Sequence, residues 1–115
     1  MADLTKTRAE LVNRALDKLG VVGSGQSPED EDAAKVDAVV DALIADLAVR
    51  TVYYVGNVEE IDVAAFEWLA MCLANLCAED FGKPMDANKQ AFAERMLRAL
   101  VATHPTYEPQ TATYY

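Results

Sequence analysis

Histidine is almost missing from this chain: His104 is the only one. A metal centre would have to gather carboxylates or buried thiols around that single ring, an improbable donor set. His104 stands at the expected end of a helix, where an imidazolium offsets the negative pole of the dipole. Cysteine is scarce too, with only Cys72 and Cys77. A five-residue step advances about 140° around a helix, so the two thiols diverge and do not bridge. Both lie in an apolar run, which reads as reduced core. No apolar stretch opens the chain as a secretion signal would. The most apolar run, Val63 to Ala78, is broken by Glu67 and Asn75. It is also shorter than the roughly 20 residues a membrane span requires. These absences point to a reducing, aqueous setting without a membrane.

Basic residues are the other shortage, ten against nineteen acidic ones, for a net charge of −9. From Val21 to Gly82 there are thirteen Asp and Glu but only Lys35 and Arg50, giving −11, while the two ends together carry eight basic and six acidic residues, giving +2. An acidic middle opposes phosphate-backbone binding, which needs clustered Lys and Arg. It serves as a solvated surface that favours solubility.

Catalytic motifs are equally hard to find. Gly20, Gly23 and Gly25 frame a loop but match neither the phosphate-cradling loop with its Lys nor the dinucleotide fingerprint. The run Glu29-Asp30-Glu31-Asp32 lacks the alternating ligands and central Gly of a calcium loop. Ser24 and Ser27 have no base nearby in sequence. Adjacent acids such as Glu59 and Glu60 are too common here to signal a hydrolytic pair. The residues therefore predict no enzyme and no cofactor.

What is present is apolar periodicity. Hydrophobic residues make up 52% of 115 positions, enough for one domain with a single core. The spacing predicts four helices. The first covers Thr7 to Leu19, with Thr7 and Glu10 at capping-box spacing and Gly20 as a left-handed stop. The second follows Ser27 as N-cap and Pro28 at the first helical position, and runs to about Arg50. Its apolar face is Val36, Val39, Val40, Leu43, Ile44 and Leu47, with Asp37, Asp41 and Asp46 off it. Thr51 to Val58 reads as an ordered linker without a strand partner in its own chain, open to pairing with a neighbouring subunit. Asp62 caps a third helix to about Phe81, and Gly82 and Pro84 follow. That helix is apolar around most of its circumference, which predicts burial against neighbouring copies as well as its own chain. The fourth runs from Ala87 to Thr103. The expected fold is all-α, a small four-helix bundle-like domain over residues 1–104. Phe66 and Trp68 on the third helix, with Tyr53 and Tyr54 in the linker, are the candidate subunit contacts.

Residues 105–115, PTYEPQTATYY, hold three of the five tyrosines and two prolines. Pro105 and Pro109 favour an extended chain, and Tyr107, Tyr114 and Tyr115 suit docking on a partner.

The opening TKTRAELVNRALDKLGV, the acidic helix ending DALIADL, the segment VYYVGNVEEIDVAAFEWLAMCLANLCAEDFG and the ending PTYEPQTATYY, taken in order, resemble the bacteriophage head-to-tail adaptor family, also described as head-completion or tail accessory proteins. The resemblance implies a structural virion protein, made in the host cytoplasm and placed in the neck. There a homo-oligomeric, dodecameric ring would join the portal protein to a nozzle or tail-completion component and extend the DNA channel. It further implies that the C-terminal segment reaches the portal. No sequence-specific nucleic-acid binding and no membrane contact are expected. Some short-tailed phage relatives are credited with wall hydrolysis, for which this chain shows no motif. Outside the resemblance, a small acidic helical regulator of another protein also suits the composition.

Overall fold

The computed structural model describes residues 4–21 and 29–103, with side chains as far as residue 101. Four helices pack together: α1, Arg8–Leu19; α2, Asp30–Val49; α3, Val63–Cys77; and α4, Ala87–Thr103. Their ends follow from local chemistry. The Thr7 side chain accepts from the Glu10 amide while Glu10 accepts from the Thr7 amide at 2.8 Å, so the first orphan donors of α1 are satisfied reciprocally. Gly20, at φ 74°, closes it in the left-handed conformation that residues with a Cβ avoid. Asp62 caps α3 by accepting from the Ala64 amide at 2.9 Å. A 3-10 turn, Ala78–Phe81, continues α3 to a second left-handed glycine, Gly82.

The start of α2 differs from the expected one. Glu29 occupies the cap position and makes no side-chain cap bond. The anticipated Ser27 cap and Pro28 lie outside the described residues. At the other end Arg50 caps α2, and Thr51 turns the chain at φ 54° with its hydroxyl donating to the Arg50 carbonyl at 2.6 Å.

A tiny antiparallel sheet was not foreseen. Strand β1, Thr5–Lys6, pairs with β2, Ile61–Asp62, so that Thr5 faces Asp62 and Lys6 faces Ile61. The Val63 amide also donates to the Leu4 carbonyl at 3.0 Å. This ribbon clips the start of the chain to the start of α3. Residues 51–58 form no strand, as expected, but they are anchored. Val52 is fully buried and its amide donates to the Leu47 carbonyl at 2.8 Å. Val55 and Val58 pack on the core.

α3 is the axis of the fold, with α1, α2 and α4 all packed against it. Ala65, Leu69, Ala70, Cys72, Leu73 and Cys77 are buried along it. Its all-round apolar character is therefore met largely by its own chain. Three helices of its own chain surround most of it, while Val63 and Leu76 stay exposed. Buried Leu11, Leu16, Val36, Val40, Leu43, Leu47 and Leu97 supply the facing sides. Among the described residues no helix is long and apolar enough to cross a membrane.

Candidate interaction surface

The candidate contact residues separate into three environments. Phe66 is only 8% exposed and belongs to the core, with the Lys6 ammonium 5.8 Å from its ring centre. Trp68 is half-buried, and its ring meets Phe92 of α4 edge-on, at 5.5 Å and 86°. Tyr53 is half-buried against the core. Tyr54 is 75% exposed and folds its ring over Gly56. The alternation is local: buried Val52 pins the linker and turns Tyr54 outward. The docking residues Pro105, Tyr107, Pro109, Tyr114 and Tyr115 lie outside the described residues, as do His104, Ser24 and Ser27.

Other apolar side chains remain in solvent. Val49 at the end of α2 is 81% exposed, and Leu76, Phe92 and Val101 are also exposed. The outward face of α2 carries exposed Ala34, Ala38, Ala42 and Ala45 before Val49.

Charge is organised by arginine. Arg8, at the start of α1, donates to Asp37 at 2.7 Å, to Asp41 at 2.8 Å and to the Asp37 carbonyl at 3.0 Å. Hydrogen bonds to Asp37 first, then Asp41, push its guanidinium further into the charged state. Arg14 grips Glu67 with two nitrogens, at 2.8 and 3.2 Å, and Lys18 adds a contact at 3.0 Å. The Arg14 bonds hold the Glu67 carboxyl below the usual range despite some burial. These pairs bolt α1 to α2 and to α3.

A polar chain runs between α3 and α4. The Asn75 amide group, nearly buried, donates to the Asp86 carbonyl at 3.0 Å and to Gln90 at 3.3 Å, while its oxygen accepts from the Asp86 amide at 2.7 Å. Gln90 donates to Glu94 at 2.7 Å and to the Cys72 sulfur at 3.6 Å. Both thiols are free, and burial pushes each up to about 11. That environment makes them inert rather than nucleophilic. Among the described residues no group of His, Cys, Asp and Glu is arranged to hold a metal ion.

A cleft of about 300 Å³ opens where α1 ends and α4 begins. Met71, Ala74 and Ala78 of the α3 side form its floor, and Lys18, Lys83 and Lys89 stand around it. Asn75 and Asp86, whose spacing ties α4 to α3, were not foreseen from sequence, and neither was this lysine-rimmed cleft. The only sequence signal was the excess of basic residues at the two ends.

No family model, curated protein or solved structure matches the chain.

Proposed function

We propose that the chain is a structural subunit of a phage head-to-tail adaptor ring, joining a portal protein to the next tail component. The observation that carries this reading is the pair of bare apolar side chains around the α2–α3 connection, Val49 at 81% and Tyr54 at 75% exposed. Large apolar groups held out by a pinned backbone favour contact with another protein surface. The ordered resemblance of the chain to adaptor proteins supports this choice of assembly. The acidic surface adds a reason for the conduit role, because it repels DNA phosphates and lets a passing genome slide.

The full chain at rising concentration, followed by sedimentation velocity and negative-stain imaging, tests this. Closed rings that bind the portal of the same phage are expected. A fixed dimer that captures a DNA-binding protein and ignores the portal would instead identify the acidic regulator.

A further inference from the structure

The helices around α3 leave one side of it open. Glu67 faces α1 through Arg14 and Lys18, whereas Cys72 and Asn75 face α4 through Gln90. Met71 falls between those directions on the helical wheel. α1 and α4 thus both pack on α3 and bound a groove, of which the lysine-rimmed cleft is the upper part. Half-buried Trp68, against Phe92, continues its apolar side.

The rim carries charge with little to balance it. Among the described residues no carboxylate lies within ion-pair distance of Lys83 or Lys89, and Lys18 is shared with Glu67. Among the described residues Asp86 is the one acid lining the cleft, and its Oδ1 accepts from the Asn88 and Lys89 amides at 2.9 and 3.1 Å. An occupant of this groove should therefore be apolar or small along its middle and acidic at the cleft end.

The chain itself presents that combination on α2. Asp30, Glu31 and Asp32 crowd its first turn and make no ion pair among the described residues. Its outward face then runs through exposed Ala34, Ala38, Ala42 and Ala45, short side chains that let another backbone approach closely. The two surfaces also match in height. The Lys35 ammonium lies 5.4 Å from the Phe81 ring centre, which puts the start of α2 at the C-terminal end of α3, where the cleft opens. No residue of α2 lines the cleft.

We infer that the first half of α2 of one copy docks in the α1–α4 groove of the next, with Asp30, Glu31 and Asp32 against Lys18, Lys83 and Lys89. This deepens the ring reading and rests on it. Each copy uses two different patches, the head-to-tail arrangement that a ring of copies requires. Since the patches share one end of the fold, successive copies stay level with each other. Attraction between lysine and acid clusters makes the contact salt-sensitive.

The test uses the full chain in low salt, with self-association followed by sedimentation velocity and folding by circular dichroism. Lys83→Glu with Lys89→Glu, or Glu31→Lys with Asp32→Lys, should each weaken association at least about tenfold. The chain bearing all four reversals should regain it, a recovery that a folding defect cannot produce. Ala38→Arg, on an exposed position, should leave the fold intact and block association by bulk. If the wild type forms rings and the lysine reversals form them equally well, the ring reading stands and the groove assignment falls. If the four-fold variant stays folded and dispersed, the pairing is wrong. A wild-type chain that never associates removes the ring reading and this contact together.

Discussion

Arg50 fastens the far end of α2 to α4 by gripping Glu94 with two nitrogens, Nη1 to Oε1 at 3.0 Å and Nη2 to Oε2 at 2.8 Å. The Glu94 side chain is 11% exposed and that of Arg50 is 42% exposed. Removing the arginine strands a nearly buried carboxylate whose remaining donor is Gln90. A fully buried pair broken on one side costs several kcal/mol, but solvent at Arg50 screens this one, so Arg50→Ala should cost about 1–2 kcal/mol. Urea unfolding of the two proteins measures it.

The same pair sets an acid dependence. The Arg50 hydrogen bonds hold the Glu94 carboxyl below its ordinary value of 4.5. A carboxyl depressed by folding stabilises the native state above that ordinary value, and the contribution disappears as pH falls through the folded pKa. Melting temperatures recorded below about pH 4.5 should drop more steeply for the wild type than for Arg50→Ala. Parallel curves would show that Glu94 gains nothing from the arginine.

Cys72 and Cys77 should ignore thiol reagents in the native protein. With each pushed up to about 11, roughly one thiol in ten thousand is ionised at neutral pH, and burial blocks access as well. Labelling should wait for unfolding and become rapid in denaturant. Fast native labelling would contradict their burial.

Phe66 and Tyr54 should respond oppositely to the same substitution. Phe66→Asp forces an unpaired charge into the core and should cost more than about 4 kcal/mol, leaving the chain unfolded. Tyr54→Asp alters an exposed ring and should shift stability by less than about 0.5 kcal/mol while weakening assembly. Circular dichroism and sedimentation of both variants separate the two roles.

Under the adaptor proposal, deleting residues 105–115 should leave the melting of the helical domain unchanged and abolish capture on the portal. Capture at full strength by the shortened chain would move the portal contact onto the helices.

Sequence periodicity made the helices legible because their signals are local. The Thr7–Glu10 box, the Asp62 cap and Gly20 each act within a few residues, and each appears as anticipated. What escaped depends on distant partners. Thr5–Lys6 is too short to register as a strand until Ile61–Asp62 lies beside it. Asn75 looked like an interruption of an apolar run, yet it pins Asp86 across a loop. Phe66 and Trp68, two residues apart, were grouped as contacts. Their positions on α3 send Phe66 to the core and leave Trp68 half-buried. The lysine cleft was invisible because Lys18 and Lys83 are brought together only by the packing of α1 and α4 on α3.

The placement of α3 at the centre governs how the protein can be made. A nascent chain that has reached Arg50 holds α1 and α2, whose apolar faces lack the helix they both pack against. The ribbon that clips the first residues closes only once Asp62 has been synthesised. The core must therefore wait until α3 has been synthesised, and until then the apolar faces of α1 and α2 rely on the surrounding acidic residues to stay dispersed.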